Sequence, residues 1–264
     1  MNVHDKTIIG QTDTPSAAAK FRYPVVDVDI HPRWNSHKDL YPYLERRWQT
    51  FLEEYGTRYR HGVEKGTPYP GSQPEASRRD AWPEDGGRAG SDLALMQRQH
   101  LDPDNVELGI LTPMGPSGFL NPGLAAAYCR AVNDWQVETW TSKEPRLKAS
   151  IVVPYDDASA AVEEIERRAG DPNFVQVLLL ARTAEPLGQK RYWPIYEAAA
   201  RHDLAVGIHS FGQGAYPYTA NGWPSYYIEE MHAQSATAQA VVASLIFEGV
   251  LHVAARQALD TAQE

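Results

Sequence analysis

Leu204-Ala205-Val206-Gly207-Ile208-His209 is the stretch on which the fold turns. Side chains alternate faces along a strand. Leu204, Val206 and Ile208 therefore form one bulky apolar face. Ala205, Gly207 and His209 form the other, with its only polar group at the C-terminal end. Large residues outward against helices, small residues inward and a histidine at the mouth suit a β/α barrel. By itself a histidine such as His209 is more often a hydrogen-bonded structural residue.

Val25-Val26-Asp27-Val28-Asp29-Ile30-His31 has the same phase. Asp27, Asp29 and His31 are expected on one face, and Val26, Val28 and Ile30 on the other. An edge strand with one wet face would alternate in the same way. Two carboxylates and an imidazole near a strand's C-terminal end also make a metal or acid/base site. Matched to His209, the Asp29-Ile30-His31 end favours a shared metal site.

Between and beyond these two stretches the pattern alternates strand and helix. Strands are predicted near 25–30, 106–111, 148–153, 174–180 and 204–209. Helices are predicted near 40–55, 92–100, 121–140, 156–168, 193–202 and 235–250. Tyr128, Val132 and Trp135 form a candidate buried stripe, and Asp156-Asp157 a candidate helix cap. Five strands separated by helices imply a parallel sheet. Residues 56–91, rich in Gly, Pro and charge, read as an active-site lid, a dimer arm or a disordered insert.

The chain has 264 residues, 42% hydrophobic and 22% charged, ordinary values for a soluble globular protein. A net charge of −9 argues against nucleic acid or an anionic membrane as partner. It leaves a small-molecule substrate open, an anionic one included. A single cysteine, Cys129, excludes an internal disulfide and fits a reducing compartment. Residues 1–22 read as a disordered start without a secretory signal, and no apolar run approaches the ~20 residues of a membrane span. The expected location is the cytoplasm.

Four pieces together resemble the amidohydrolase superfamily: Val-Asp-Val-Asp-Ile-His at 26–31, Trp-Pro-Ile-Tyr-Glu-Ala-Ala at 193–199, Val-Gly-Ile-His-Ser at 206–210 and Ser-Leu-Ile-Phe-Glu-Gly-Val-Leu at 244–251. The nearest group is the amidohydrolase-related one that includes aminocarboxymuconate-semialdehyde decarboxylase and resorcylate-type decarboxylases. The resemblance implies an α/β fold of the (β/α)8 TIM-barrel type, spanning residues 23–251 with the 56–91 insert. It implies that Asp29, His31 and His209 ligate a divalent metal, zinc or manganese. Asp27 is then a supporting acid. The family continues with three more strands, the last carrying an aspartate. Here residues 252–264 have no strand pattern, so the sequence reads as a truncated member with five of eight strands.

Arg182, just past the fourth strand, is a candidate clamp for a substrate carboxylate; the alternative is a surface arginine paired to Glu185. His232 is a candidate catalytic residue, or else a surface or capping histidine. Tyr216, Tyr218, Trp223, Tyr226 and Tyr227 could wall an aromatic pocket or cover an exposed sheet end. Three functional readings follow: a decarboxylase of an aromatic or unsaturated acid, a hydrolase of an ester, lactone or amide, and an inactive fragment. Open strand edges favour self-association, including a homo-oligomer.

Overall fold

A computed structural model describes residues 23–57, 77–114, 119–209 and 225–252. Its centre is one parallel five-stranded sheet in sequential order. The strands are β1 (Val25–Ile30), β2 (Val106–Leu111), β3 (Leu147–Val152), β4 (Phe174–Leu180) and β5 (Ala205–His209). The helices are α1 (Arg46–Tyr55), α2 (Leu93–Met96), α3 (Pro122–Gln136), α4 (Ala158–Arg168), α5 (Trp193–Arg201) and α6 (Tyr227–Phe247). This is the strand–helix alternation of a barrel carried through five strands, an incomplete TIM barrel.

The helix starts follow local chemistry. Side chains of Asp92, Asn121 and Asp157 each accept a backbone N–H in the first turn of α2, α3 and α4. Arg167 and Arg168 close α4, where the helix dipole favours cations. The stretch predicted as one helix over 40–55 divides into a 3-10 turn, His37–Tyr43, and α1. Pro42 has no N–H to donate to a continuous α-helical ladder, which accounts for the break. α6 begins eight residues before the predicted 235. Tyr226 and Glu229 form a reciprocal cap there that the apolar pattern does not announce.

Two apolar clusters lie between sheet and helices. One joins β3, β4, α4, α5 and the buried face of α6, through Ile151, Val177, Leu179, Ile195 and Val241. The other joins β1 and β2 to α1 and α3, and includes the expected Tyr128, Val132 and Trp135. The buried Asn133 on α3 is fully engaged: it bonds both backbone groups of Val152 and also Glu164.

β1 departs from simple alternation. Asp27 pairs with Gly109 and Ile30 with Leu111, so three steps of β1 match two of β2. The extra residue is a bulge, which resets the faces. Ile30 therefore packs over Gly109 in the helix-side core instead of joining Val26 and Val28. Those two valines are 57% and 58% exposed. Asp27 leaves the expected three-residue row and bonds His100, which is held in turn by Asp104.

The described part of the 56–91 insert is docked beside the end of β1. Arg33 N–H donates to the Gly90 carbonyl at 2.8 Å, and Arg88 N–H to Asn35 Oδ1 at 2.7 Å. Residues 58–76 and 210–224, with most of the aromatic loop, lie outside the described residues. No described helix is long and apolar enough to cross a membrane. On α6, Val242, Ile246 and Phe247 are exposed.

Candidate metal centre

Asp29, His31 and His209 converge, as their strand positions predict. One donor atom from each can be chosen so that all lie within 4.8 Å of one another. Asp29 Oδ1 is the hub: His31 Nε2 and His209 Nε2 each lie 3.5 Å from it. The imidazole rings meet edge to face, with centroids 4.9 Å apart. These are the C-terminal ends of the two outermost strands, so the sheet must curl to bring them together.

The donor set suits a borderline divalent ion. A carboxylate and two neutral imidazoles are a common zinc shell and also serve manganese. Bonds of ~2.1 Å in tetrahedral geometry separate neighbouring ligand atoms by about 3.4 Å. The two 3.5 Å spacings at Asp29 match that edge. A hydrogen bond with His209 holds the Asp29 carboxyl below its ordinary range, against the opposing effect of partial burial. The carboxylate is therefore already ionised for a cation.

Neighbouring strands hold these groups in place. His31 Nδ1 lies 2.8 Å from the backbone carbonyl of Thr112. A carbonyl only accepts, so Nδ1 carries the proton and Nε2 presents its lone pair to the centre. Thr112 Oγ1 donates to Asp29 Oδ1 at 3.0 Å. Gly90 presses on the backbone of His31: a Cβ there would lie 2.4 Å from the His31 carbonyl oxygen, and its φ is +80°. The Asp29 N–H donates to Asp27 Oδ1 at 3.0 Å, which ties the bulge to the site.

Arg182 is not a surface arginine. It is 5% exposed, and Glu185 pairs instead with Arg191 at 3.2 Å. The preceding residue, Ala181, donates its N–H to the His209 carbonyl at 2.8 Å. The arginine thus leaves the backbone one residue beyond a direct bond to a candidate ligand. His232 is exposed on α6 and is not one of the three converging groups. Tyr226 is exposed as well. The sequence reading passed over Thr112 and Gly90. Thr112 had a signal, a hydroxyl residue just past the second strand's end; Gly90 had none, because its contact with His31 is not local.

Several solved structures share this architecture. A 2,6-dihydroxybenzoate decarboxylase from Rhizobium aligns with TM-score 0.52 at 20% identity, over 63% of this chain and 54% of its own. An amidohydrolase from Mycobacterium avium subsp. paratuberculosis K-10 aligns with TM-score 0.61 at 18% identity, over 88% and 70%. A 5-carboxyvanillate decarboxylase from Novosphingobium aromaticivorans, complexed with manganese, gives TM-score 0.50 at 17% identity, over 73% and 52%. At such identities the likeness is one of fold. The chain spans about half the length of the two decarboxylases. No curated protein matches the sequence. The amidohydrolase family model, however, matches residues 26–243, across all five strands and most of α6, and the chain belongs to that family.

Proposed function

We propose that this chain carries the metal centre of a decarboxylase that acts on a small aromatic or unsaturated carboxylic acid. Asp29, His31 and His209 would hold the ion, zinc or manganese. The observation that carries this reading is the convergence of both imidazole Nε2 atoms on one Asp29 oxygen. Decarboxylation is preferred to ester, lactone or amide hydrolysis for two reasons. Structures with the same architecture include decarboxylases of aromatic acids. A buried arginine also follows the strand end that bonds His209. Fold alone does not fix chemistry.

The bound ion would supply a Lewis acid for substrate oxygens. The residues supply the rest. Arg182 pairs with an acid group of the substrate through its planar guanidinium and sets the substrate's orientation. The bond between the carbon skeleton and the carboxylate breaks, carbon dioxide leaves, and the electron pair stays on the carbon. A proton is then added to that carbon; the candidate donor is His232 on α6 as a protonated imidazole, which is left neutral. The single cysteine, Cys129, can form no internal disulfide, which fits a reducing, cytoplasmic setting.

The test is metal analysis of the purified chain, followed by a panel of hydroxybenzoates and esters with and without added zinc or manganese. About one ion per chain and metal-dependent release of carbon dioxide are expected, both lost in His209→Ala. Metal-dependent ester cleavage without carbon dioxide would favour the hydrolase. No ion in the parent chain would end the metal-centre reading.

A further inference from the structure

Thr112 lies one residue past β2, between the strand that ends in Asp29 and His31 and the rest of the sheet. It is 3% exposed. Its N–H continues the parallel ladder to the Ile30 carbonyl at 2.7 Å. That bond fixes the residue against the segment joining Asp29 to His31. From this position it touches both: its carbonyl accepts from His31 Nδ1 at 2.8 Å, and its hydroxyl donates to Asp29 Oδ1 at 3.0 Å. We propose that Thr112 is the positioning residue of the metal centre, setting the His31 tautomer through its carbonyl and the Asp29 carboxylate through its hydroxyl. The inference rests on the metal-centre reading above and assigns Thr112 no contact with substrate.

The two contacts act differently. The carbonyl is backbone, so any residue at 112 offers it, and the His31 tautomer survives substitution. The hydroxyl belongs to the side chain. Its single proton has two acceptors within reach, Asp29 Oδ1 and the Ile30 carbonyl at 3.2 Å. A β-branched side chain is stiff about its first torsion, so the hydroxyl is delivered in one direction. Asp29 is the hub on which both imidazoles converge and is the most exposed of the three ligands. A carboxylate in that position swings freely unless something holds it. Groups behind the ligands commonly change metal affinity by about 10- to 100-fold.

The variants are Thr112→Val, which keeps the shape and loses the hydroxyl, and Thr112→Ser, which keeps the hydroxyl. Binding of Mn²⁺ is measured by titration and by the electron paramagnetic resonance spectrum of the bound ion, on the whole chain. Thr112→Val is expected to weaken Mn²⁺ about tenfold and to broaden the spectrum. Thr112→Ser should stay within about threefold of the parent with an unchanged spectrum. If Val lowers the metal-free melting temperature so far that titration fails, Thr112→Ala, which adds no second methyl, reads the same hydroxyl. Parent-like affinity and spectrum in the Val or Ala variant would overturn the inference while leaving the metal centre standing. A parent chain that binds no Mn²⁺, or binds it equally with His209→Ala, would instead overturn the metal-centre reading itself.

Discussion

His31 and His209 meet edge to face with ring centroids 4.9 Å apart, although their strands are the first and last of a five-stranded sheet. Four strand spacings in a flat sheet amount to about 19 Å. The curl of the sheet closes that distance, and a metal held there would bridge the two sheet edges.

A bridging ion should stabilise the fold. An ion present at 100 times its dissociation constant adds about 2.7 kcal/mol if it binds only the folded chain. Melting temperature is therefore expected to rise with added zinc or manganese, and the rise should vanish in His209→Ala. An equal rise in that variant would place the ion elsewhere.

Arg182 is expected to act on substrate binding. Arg182→Met keeps much of the buried stem and removes the fork. A hydrogen-bonded charge pair is worth about 1.5–3 kcal/mol. KM for an acid substrate should rise by about 10- to 100-fold, with a smaller change in kcat. Unchanged KM in a folded variant would end the clamp.

Gly90 is expected to tolerate no side chain. Its positive φ and the 2.4 Å approach of a Cβ to the His31 carbonyl oxygen are two separate penalties. Gly90→Ala should cost about 1–3 kcal/mol in thermal or urea unfolding and weaken metal binding through His31. A variant as stable as the parent would show that the 77–91 segment simply shifts away.

Glu144 predicts an acid limb. It is buried, and Arg146 in a paired hydrogen bond, with help from Gln97, lowers its carboxyl from the ordinary 4.5 to about 2. A depressed pKa means that the ionised form stabilises the fold. That contribution is whole above about pH 4.5 and is lost as pH falls towards about 2. The shift corresponds to about 3 kcal/mol, and the partly exposed Arg146 reduces this to about 1–2 kcal/mol. Glu144→Gln should lower stability by that amount at pH 7 and flatten its decline between pH 5 and 2. Parallel curves for the two proteins would contradict this.

The sequence by itself determined the strand–helix alternation, the parallel sheet and the three side chains that converge, Asp29, His31 and His209. These are local properties. Alternation has a period of two, a cap lies within one turn, and Asp29-Ile30-His31 and His209 each sit at a strand's own end. Tertiary structure decided what depends on neighbours distant in sequence. The β1 bulge, set by pairing with β2, sent Asp27 to His100 and Ile30 into the core. Burial beside β5 removed Arg182 from the surface. Thr112 reached across from β2 to the Asp29–His31 pair, 81 and 83 residues away in sequence, and Gly90 closed on the His31 backbone. Backbone pairing and close packing impose these relations only after the sheet has curled; among them Thr112 alone left a local trace, a hydroxyl residue just past the end of β2.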